Sequence, residues 1–359
     1  MGTYIIDVIE GRKGGILIKG ALNTMSHLFA AAVALRNFAF DKKWIKEKRV
    51  SIPVISIGNI IAGGAGKTPF IQKLATDLGN SGRVSILLRG YRSDVEKHNE
   101  NLHLMDPVHT TPKICGDEAA LLFKKLPNAQ IFVGKDRVLN AKRAIHKNAN
   151  VLLLDDGMQY RTLYRDIEIT ILHGDNLYGK GFFLPRGYLR DSPKRLQNSH
   201  AIVVNHVRSW DHFHAIKKEV STWTSAPVIG TRMYPKKIEL LQKRYWKNLK
   251  NKRVAIFCGL GQPHSFFSTV AELGGEIVDK WVLPDHATPK KSEIQAFAKK
   301  CALNRCDLIL CSEKDWLKLP LDQHFPTPIG CLHAKLMVCA GQGEYNTLLE
   351  QIRTLMKKR

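Results

Sequence analysis

Residues 54–69 read VISIGNIIAGGAGKTP. The apolar run Val54–Ile57 reads as a buried strand and Gly63, Gly64 and Gly66 as a loop. Phe70, Ile71, Leu74, Ala75 and Leu78 then fall on one face of a helix. Pro69 suits the first helical turn, where a missing N–H leaves nothing unsatisfied. A strand, a glycine loop and a helix in this order suit a triphosphate. The backbone of Ile61, Ala62, Gly63, Gly64, Ala65 and Gly66 can wrap phosphates, Lys67 adds a point charge, and the Thr68 hydroxyl can ligate Mg²⁺. A complete phosphate-loop pattern has glycine where Ile61 stands, so the match is to the GGxGKT half alone.

Working outward, strand-like apolar runs recur at Val84–Leu88, Ile131–Val133, Val151–Leu154, Ile167–Leu172 and Ala201–Val204, with helical patterns between several of them. Near-continuous apolar strands alternating with helices predict an α/β fold, a P-loop NTPase-like parallel sheet covered by helices on both faces. The ligand crevice then belongs at the carboxyl ends of the strands. Around residues 226–253 the texture turns basic and loses helix-length stripes, which reads as a β-ribbon linker. A second, smaller α/β pattern follows, with strands at Val254–Cys258, Ile277–Leu283, Leu308–Cys311 and Ile329–His333. Its helices fall near Ser265–Leu273, Pro289–Cys301 and Tyr345–Lys357. The expected division is an N-terminal helical region at 1–50, a core at 51–228, a linker at 229–252 and a C-terminal unit at 253–359.

Val151–Leu154 runs into Asp155, Asp156 and Gly157, an acid-terminated strand of the kind that sets a carboxylate beside Mg²⁺; the plain alternative is a strand entering an Asp–Gly turn. Gln159 can orient a water or ligand. Asp117 and Glu118 after Gly116 have two readings: a base or metal-shell pair, or a helix N-cap with Asp117 as the capping residue, which spacing favours. Arg186 and Arg190 in LPRGYLRD suit bidentate phosphate contacts or a solvated basic loop. His286 stands at a strand end.

The chain has 359 residues and a net charge of +23, which favours an anionic partner: nucleic acid, an acidic membrane surface or a phosphorylated substrate. No RNP-type or helix-turn-helix pattern supports nucleic acid, and no motif points to a protein partner. Seven cysteines without a paired framework read as buried free thiols in a reducing cytosol. Gly20–Leu35 carries no charge but is polar and short for crossing a bilayer. Arg36, Lys42, Lys43, Lys46, Lys48 and Arg49 follow, with Phe38, Phe40 and Trp44 interleaved. This suits a helix lying in an anionic membrane interface, or else a helix packed on the core with a solvated basic end.

In order along the chain, ISIGNIIAGGAGKTP, LLRGY (87–91), GDE (116–118), VGKDRV (133–138), LLLDDGMQY (152–160), LPRGYLRD (184–191), FCGLGQPHSFF (257–267), LPDHATP (283–289) and SEKDWLKL (312–319) resemble the tetraacyldisaccharide 4′-kinase family. The resemblance implies transfer of the ATP γ-phosphoryl group to the 4′-hydroxyl of a tetraacylated glucosamine disaccharide 1-phosphate. It further implies a peripheral place on the cytoplasmic face of a Gram-negative inner membrane. It casts Lys67 and the loop amides as phosphate holders, Thr68, Asp155, Asp156 and Glu118 as the Mg²⁺ set, and Asp117 as general base assisted by His286. That role for Asp117 displaces the cap reading on resemblance alone. Ala119 after GDE, Met158 and Tyr160 in the acid-strand motif, Asp191 after the arginine and Ala287 after the histidine depart from the family pattern. A GGxGKT-type GTPase or metallochaperone is the competing reading, with SEKD at 312–315 as a superficial guanine-reading motif.

Overall fold

A computed structural model of the chain describes residues 3–106, 110–241, 244–261, 263–284, 287–319 and 324–358. Among the described residues thirteen strands form one sheet: β1 (Val54–Gly58), β2 (Val84–Leu88), β3 (Asn101–Leu104), β4 (Gln130–Gly134), β5 (Val151–Asp155), β6 (Ile167–His173), β7 (Ala201–Asn205), β8 (Val228–Leu240), β9 (Tyr245–Trp246), β10 (Lys252–Cys258), β11 (Gly275–Val282), β12 (Leu308–Ser312) and β13 (Ile329–Ala340). Across the sheet the order is β11-β10-β12-β13-β8-β7-β6-β1-β5-β2-β4-β3, with β9 hydrogen-bonded to β8. Pairings are parallel except β3 on β4, β9 on β8 and β13 on β8.

The apolar runs form the buried centre as expected. β1, β2, β5, β6 and β7 are buried along their whole length, because helices cover both faces. On one face Ile55, Ile57, Ile86 and Leu153 meet Phe70, Ile71, Leu74 and Leu78 of the helix Lys67–Leu78. On the other, Val54, Leu87, Leu152 and Leu154 meet Val138, Ala141 and Ala144 of the helix Arg137–His146. Further along, the helices His264–Glu272 and Lys291–Leu303 cover opposite faces of β10 and β12.

The stretch expected as a β-ribbon linker is indeed mostly strand, and it joins the main sheet. Its first part, Val228–Gly230, pairs with β7, and the rest of β8 pairs antiparallel with β13. β13 runs seven residues past the expected His333, to Ala340, and the chain then enters the helix Gln342–Lys358. That helix was expected with the C-terminal pattern, yet Tyr345, Leu348, Leu349 and Ile352 lie in the same apolar cluster as Phe70 and Leu74. The Tyr345 hydroxyl donates to Asp77 at 2.7 Å.

Near the N-terminus, one helix spans Ile16–Asp41, longer than the uncharged stretch because residues 16–19 precede it and 36–41 continue it. Its most apolar 18-residue window has a mean hydropathy of 1.3, and by length and composition it could cross a membrane. Only Ser26, Val33 and Asn37 are buried, whereas Leu17, Met25, Leu28, Leu35 and Phe38 are exposed. Six cysteines are buried and Cys339 is exposed, all as free thiols.

Candidate active site

The glycine loop leaves the carboxyl end of β1, between β5 and β6. It turns into its helix at Gly66, where φ is +83°, a left-handed value that side chains resist. A Cβ there would also sit 2.2 Å from Asn205 Nδ2. Asn205, at the end of β7, donates to Ala65 O at 2.7 Å and Gly66 O at 3.1 Å, so the loop is pinned from a strand two places away. Gly63 and Gly64 are exposed at the crest.

Ile61 and Ala62 do not join the open part of the loop. Ile61 is buried and bridges Leu189, and the Ala62 amide donates to Tyr188 O at 2.6 Å. Both are tied to the segment 184–191, so the free backbone begins at Gly63. The same segment delivers Arg190. Its guanidinium donates to both Asp156 oxygens, at 3.0 and 2.7 Å, and to Asn59 Oδ1. Arg186, expected beside it, instead lies over the Phe182 ring at 5.0 Å; among the described residues no ion pair joins Arg186 to the loop.

Lys67 Nζ lies 3.2 Å from Asp156 Oδ1 and 3.2 Å from Asn59 Oδ1. The glycine loop and the acid-terminated strand therefore converge, as the sequence predicts. Burial alone would raise the Asp156 carboxyl, but the Lys67 and Arg190 charges outweigh it and hold the group far below the usual carboxylate range. Its backbone sits at φ +52°, the left-handed turn that lets it face the loop. Asp155, one residue back, is in the opposite condition. Burial, with the Glu118 charge adding to it, pushes its carboxyl up to about 7, and its Oδ1 is buried without a hydrogen-bond partner. Gln159 Nε2 donates to the main-chain Asn59 O at 3.0 Å, which holds the backbone of the residue whose side chain meets Lys67 and Arg190.

Thr68 Oγ1 donates to Glu118 Oε1 at 3.2 Å, and Lys314 Nζ lies 3.4 Å from the same oxygen. Asp117 does not cap its helix. The N-cap of Asp117–Lys125 is Gly116 with no side-chain cap bond, and Asp117 Oδ2 pairs with Lys318 Nζ at 2.6 Å. Asp117 and Lys318 also line a cavity of ≈ 330 Å³ with Tyr91, Arg92, Lys113 and Thr288. His286 lies outside the described residues.

Sequence reasoning missed Asn59, Asn205, Arg137, Lys314 and Lys318. The two asparagines are strand-end residues of unremarkable spacing. Arg137 is buried near Asp155 and Asp156, with burial lowering its pKa, and lies in the VGKDRV motif. Lys314 and Lys318 arrive from β12's far end, beyond the reach of local pattern. The structure does not favour the SEKD reading: Asp315 is fully buried, and its Oδ1 accepts from the Gly259 amide at 3.0 Å and its Oδ2 from the Ser312 hydroxyl, so the carboxylate faces the protein's own interior.

A family model described as Tetraacyldisaccharide-1-P 4′-kinase matches residues 18–354. The chain is 35% identical over 350 residues to the tetraacyldisaccharide 4′-kinase of Chlamydia pneumoniae, covering 96% of this chain and 93% of that protein. It is 38% identical over 314 residues to that of Chlamydia abortus, covering 85% and 83%. Among solved structures, the "apo" form of LpxK from Aquifex aeolicus in complex with ATP matches with a TM-score of 0.69 and 26% identity, covering 94% of this chain and 99% of that one.

Proposed function

Because the chain belongs to the tetraacyldisaccharide-1-P 4′-kinase family, we propose that its convergent loop, acid strand and basic segment carry out the family's phosphoryl transfer. The reaction is ATP-dependent phosphorylation of the 4′-hydroxyl of a tetraacyl glucosamine disaccharide 1-phosphate, an intermediate of lipid A synthesis. The observation that carries the site assignment is the convergence of Lys67, Asp156 and Arg190 within hydrogen-bond distance at the mouth of the sheet.

Each residue has a role that follows from its place. The amides of Gly63, Gly64 and Gly66 and the N-terminus of the helix Lys67–Leu78 receive the β- and γ-phosphates, while the Ala65 amide donates to Gly63 O at 3.0 Å. Lys67 and Arg190, now neutralised by Asp156, are cations of the kind that neutralise charge on the transferring group. Asp155, Thr68 and Glu118 fit Mg²⁺. Among the described residues no cluster of three metal-ligating side chains exists, and Mg²⁺ is ordinarily held by one or two carboxylates plus phosphate oxygens. The unpartnered Asp155 Oδ1 is an oxygen such an ion would take, whereas both Asp156 oxygens are engaged by Arg190 and one of them also by Lys67. When bound, Mg²⁺ draws charge from the phosphate oxygens.

Asp117 is the general base. It stands on the wall of the ≈ 330 Å³ cavity, where an acceptor sugar can enter, and Lys318 fixes its carboxylate. The 4′-oxygen attacks the γ-phosphorus, its proton passes to Asp117, and the bond to the ADP oxygen breaks. His286 is the assisting group that the resemblance to the family implies. The helix Ile16–Asp41, with its exposed apolar residues and the basic run from Lys42 to Arg49, lies on an anionic membrane surface at the cytoplasmic face and brings the lipid acceptor to the site.

The test supplies labelled ATP and a tetraacyl disaccharide 1-phosphate in mixed micelles and separates products by thin-layer chromatography. Label must move to the lipid; label found only in inorganic phosphate overturns the reading. GTP supporting the transfer as well as ATP would favour the competing nucleotide assignment.

A further inference from the structure

Arg190 and Asp191 are neighbours whose side chains run in opposite directions. Arg190 enters the nucleotide site, on Asp156 and Asn59. Asp191 is 1% exposed and points the other way, into the helix Ile16–Asp41. Its Oδ1 accepts from Asn37 Nδ2 at 2.9 Å and its Oδ2 from Arg36 Nη2 at 3.4 Å. Asn37 is one of the three buried residues of that otherwise exposed helix. The backbone amides of both Arg190 and Asp191 donate to Ile60 O, at 2.8 and 3.2 Å, directly ahead of the glycine loop. The helix is held elsewhere on the same side of the fold: Ser26 Oγ donates to Phe183 O at 2.8 Å, and Arg161 Nη1 donates to Asn37 O at 3.2 Å. A displacement of the helix at Asn37 must therefore pull on Asp191, and Asp191 shares its anchor with Arg190.

The geometry points to Asn37 and Asp191 as positioning residues for phosphoryl transfer: their buried contact ties the seating of the N-terminal helix to the placement of Arg190 and the entry to the glycine loop, so that ATP is bound productively only when the helix is docked. This rests on the kinase reading above, and it adds a route by which an enzyme seated on a lipid surface differs in nucleotide affinity from one whose helix is displaced. The contact is a carboxylate meeting an amide in a buried setting, where a broken partner leaves an unsatisfied group and the surroundings must shift to relieve it.

The experiment is a charge-transposition cycle on the full chain in detergent, read by ATP titration. Asn37→Asp sets two carboxylates face to face; it weakens ATP binding on the order of tenfold in a titration without lipid acceptor, as expected of residues in one network. Adding Asp191→Asn restores a carboxylate–amide pair and returns ATP affinity to within about threefold of wild type. A purely structural role predicts a lowered melting temperature with ATP affinity intact. Unchanged ATP affinity in Asn37→Asp, or failure of Asp191→Asn to rescue it, overturns the proposal. If Asn37→Asp does not fold, Asn37→Ala removes the donor without burying a charge, and unchanged ATP affinity there overturns it equally. Wild-type transfer of label to lipid is measured in the same series, so failure of the kinase reading shows in the wild type and failure of the coupling shows only in the ratios.

Discussion

Replacing Gly66 by alanine separates two demands that the loop makes of its glycines. At φ +83° an L-residue is strained by about 1–2 kcal/mol. The new methyl would stand 2.2 Å from Asn205 Nδ2, so that amide must withdraw from Ala65 O and Gly66 O, at about 1 kcal/mol for each bond lost. Together these give a destabilisation of roughly 3–4 kcal/mol, which at about 2.1 cal/mol/K per residue over the 359 residues corresponds to a fall in melting temperature of about 4–5 °C. Gly64→Ala is the control. No heavy atom lies within 4 Å of its added Cβ, so the melting temperature should stay within the change expected of an ordinary surface substitution, about 0.5 kcal/mol. The methyl instead takes space that a phosphate needs, and ATP affinity should fall at least ~10-fold. Thermal unfolding followed by circular dichroism and ATP titration by calorimetry read the two effects separately. A Gly66→Ala protein that melts with the wild type refutes the close approach of Asn205, and a Gly64→Ala protein with wild-type ATP affinity refutes the placement of phosphate at the crest.

Lys67→Ala should abolish transfer to the lipid acceptor; retained ATP turnover in a coupled assay would remove Lys67 from the phosphate site. Asp117→Ala should lower kcat by about 10²–10⁴-fold, the usual worth of a positioned base, with ATP affinity near wild type in a titration; full activity would remove the base assignment. Tyr345→Phe leaves Asp77 without its 2.7 Å partner and should cost about 1 kcal/mol in denaturant unfolding, with a wild-type m-value. His333 is bonded to Glu313 and lies 2.8 Å from Glu239; burial would lower its pKa, but the contacts with Cys331 and Glu313 outweigh it and push the ring up to about 9. Because the folded value exceeds the ordinary 6.5, this stabilisation is complete below about pH 6.5 and is lost as pH rises through 9. Denaturant midpoints from pH 6 to 10 should show that decline, His333→Gln should flatten it, and an equal slope in both proteins would refute it.

The parallel centre was legible because strands buried on both faces leave no polar positions: Val54–Ile57, Val84–Leu88 and Val151–Leu154 match β1, β2 and β5 to within a residue. The helix Lys67–Leu78 was legible from its apolar stripe. β8 was legible as a ribbon but not as a strand of the main sheet, because between Thr231 and Ile238 its residues are half-covered or exposed and RMYPKK carries a basic texture. β13 was cut short for the same reason, since His333, Ala334 and Lys335 interrupt the apolar run. At the site, Lys67, Thr68, Asp155 and Asp156 announce themselves because phosphate and metal chemistry demands those residue types at fixed spacing. Lys318 on Asp117 and Asn205 on the loop are partnerships between distant parts of the chain, and local pattern holds no record of them. Asp117 was misjudged from spacing because Gly116, at φ +92°, serves as the N-cap and frees the acid to face Lys318.

The chain crosses from the first half of the sheet to the second on β8 and comes home on β13, ending in a helix laid against Phe70 and Leu74. The loop that grips the nucleotide is thus written within the first seventy residues but completed by residues near 350. During synthesis the nucleotide half must wait, with the apolar back of its loop helix uncovered, until the final segment emerges to seal it. A ribosome stalled before Tyr345 would hold a nascent sheet with an unshielded flank, a target for chaperones or proteases and not a working fragment.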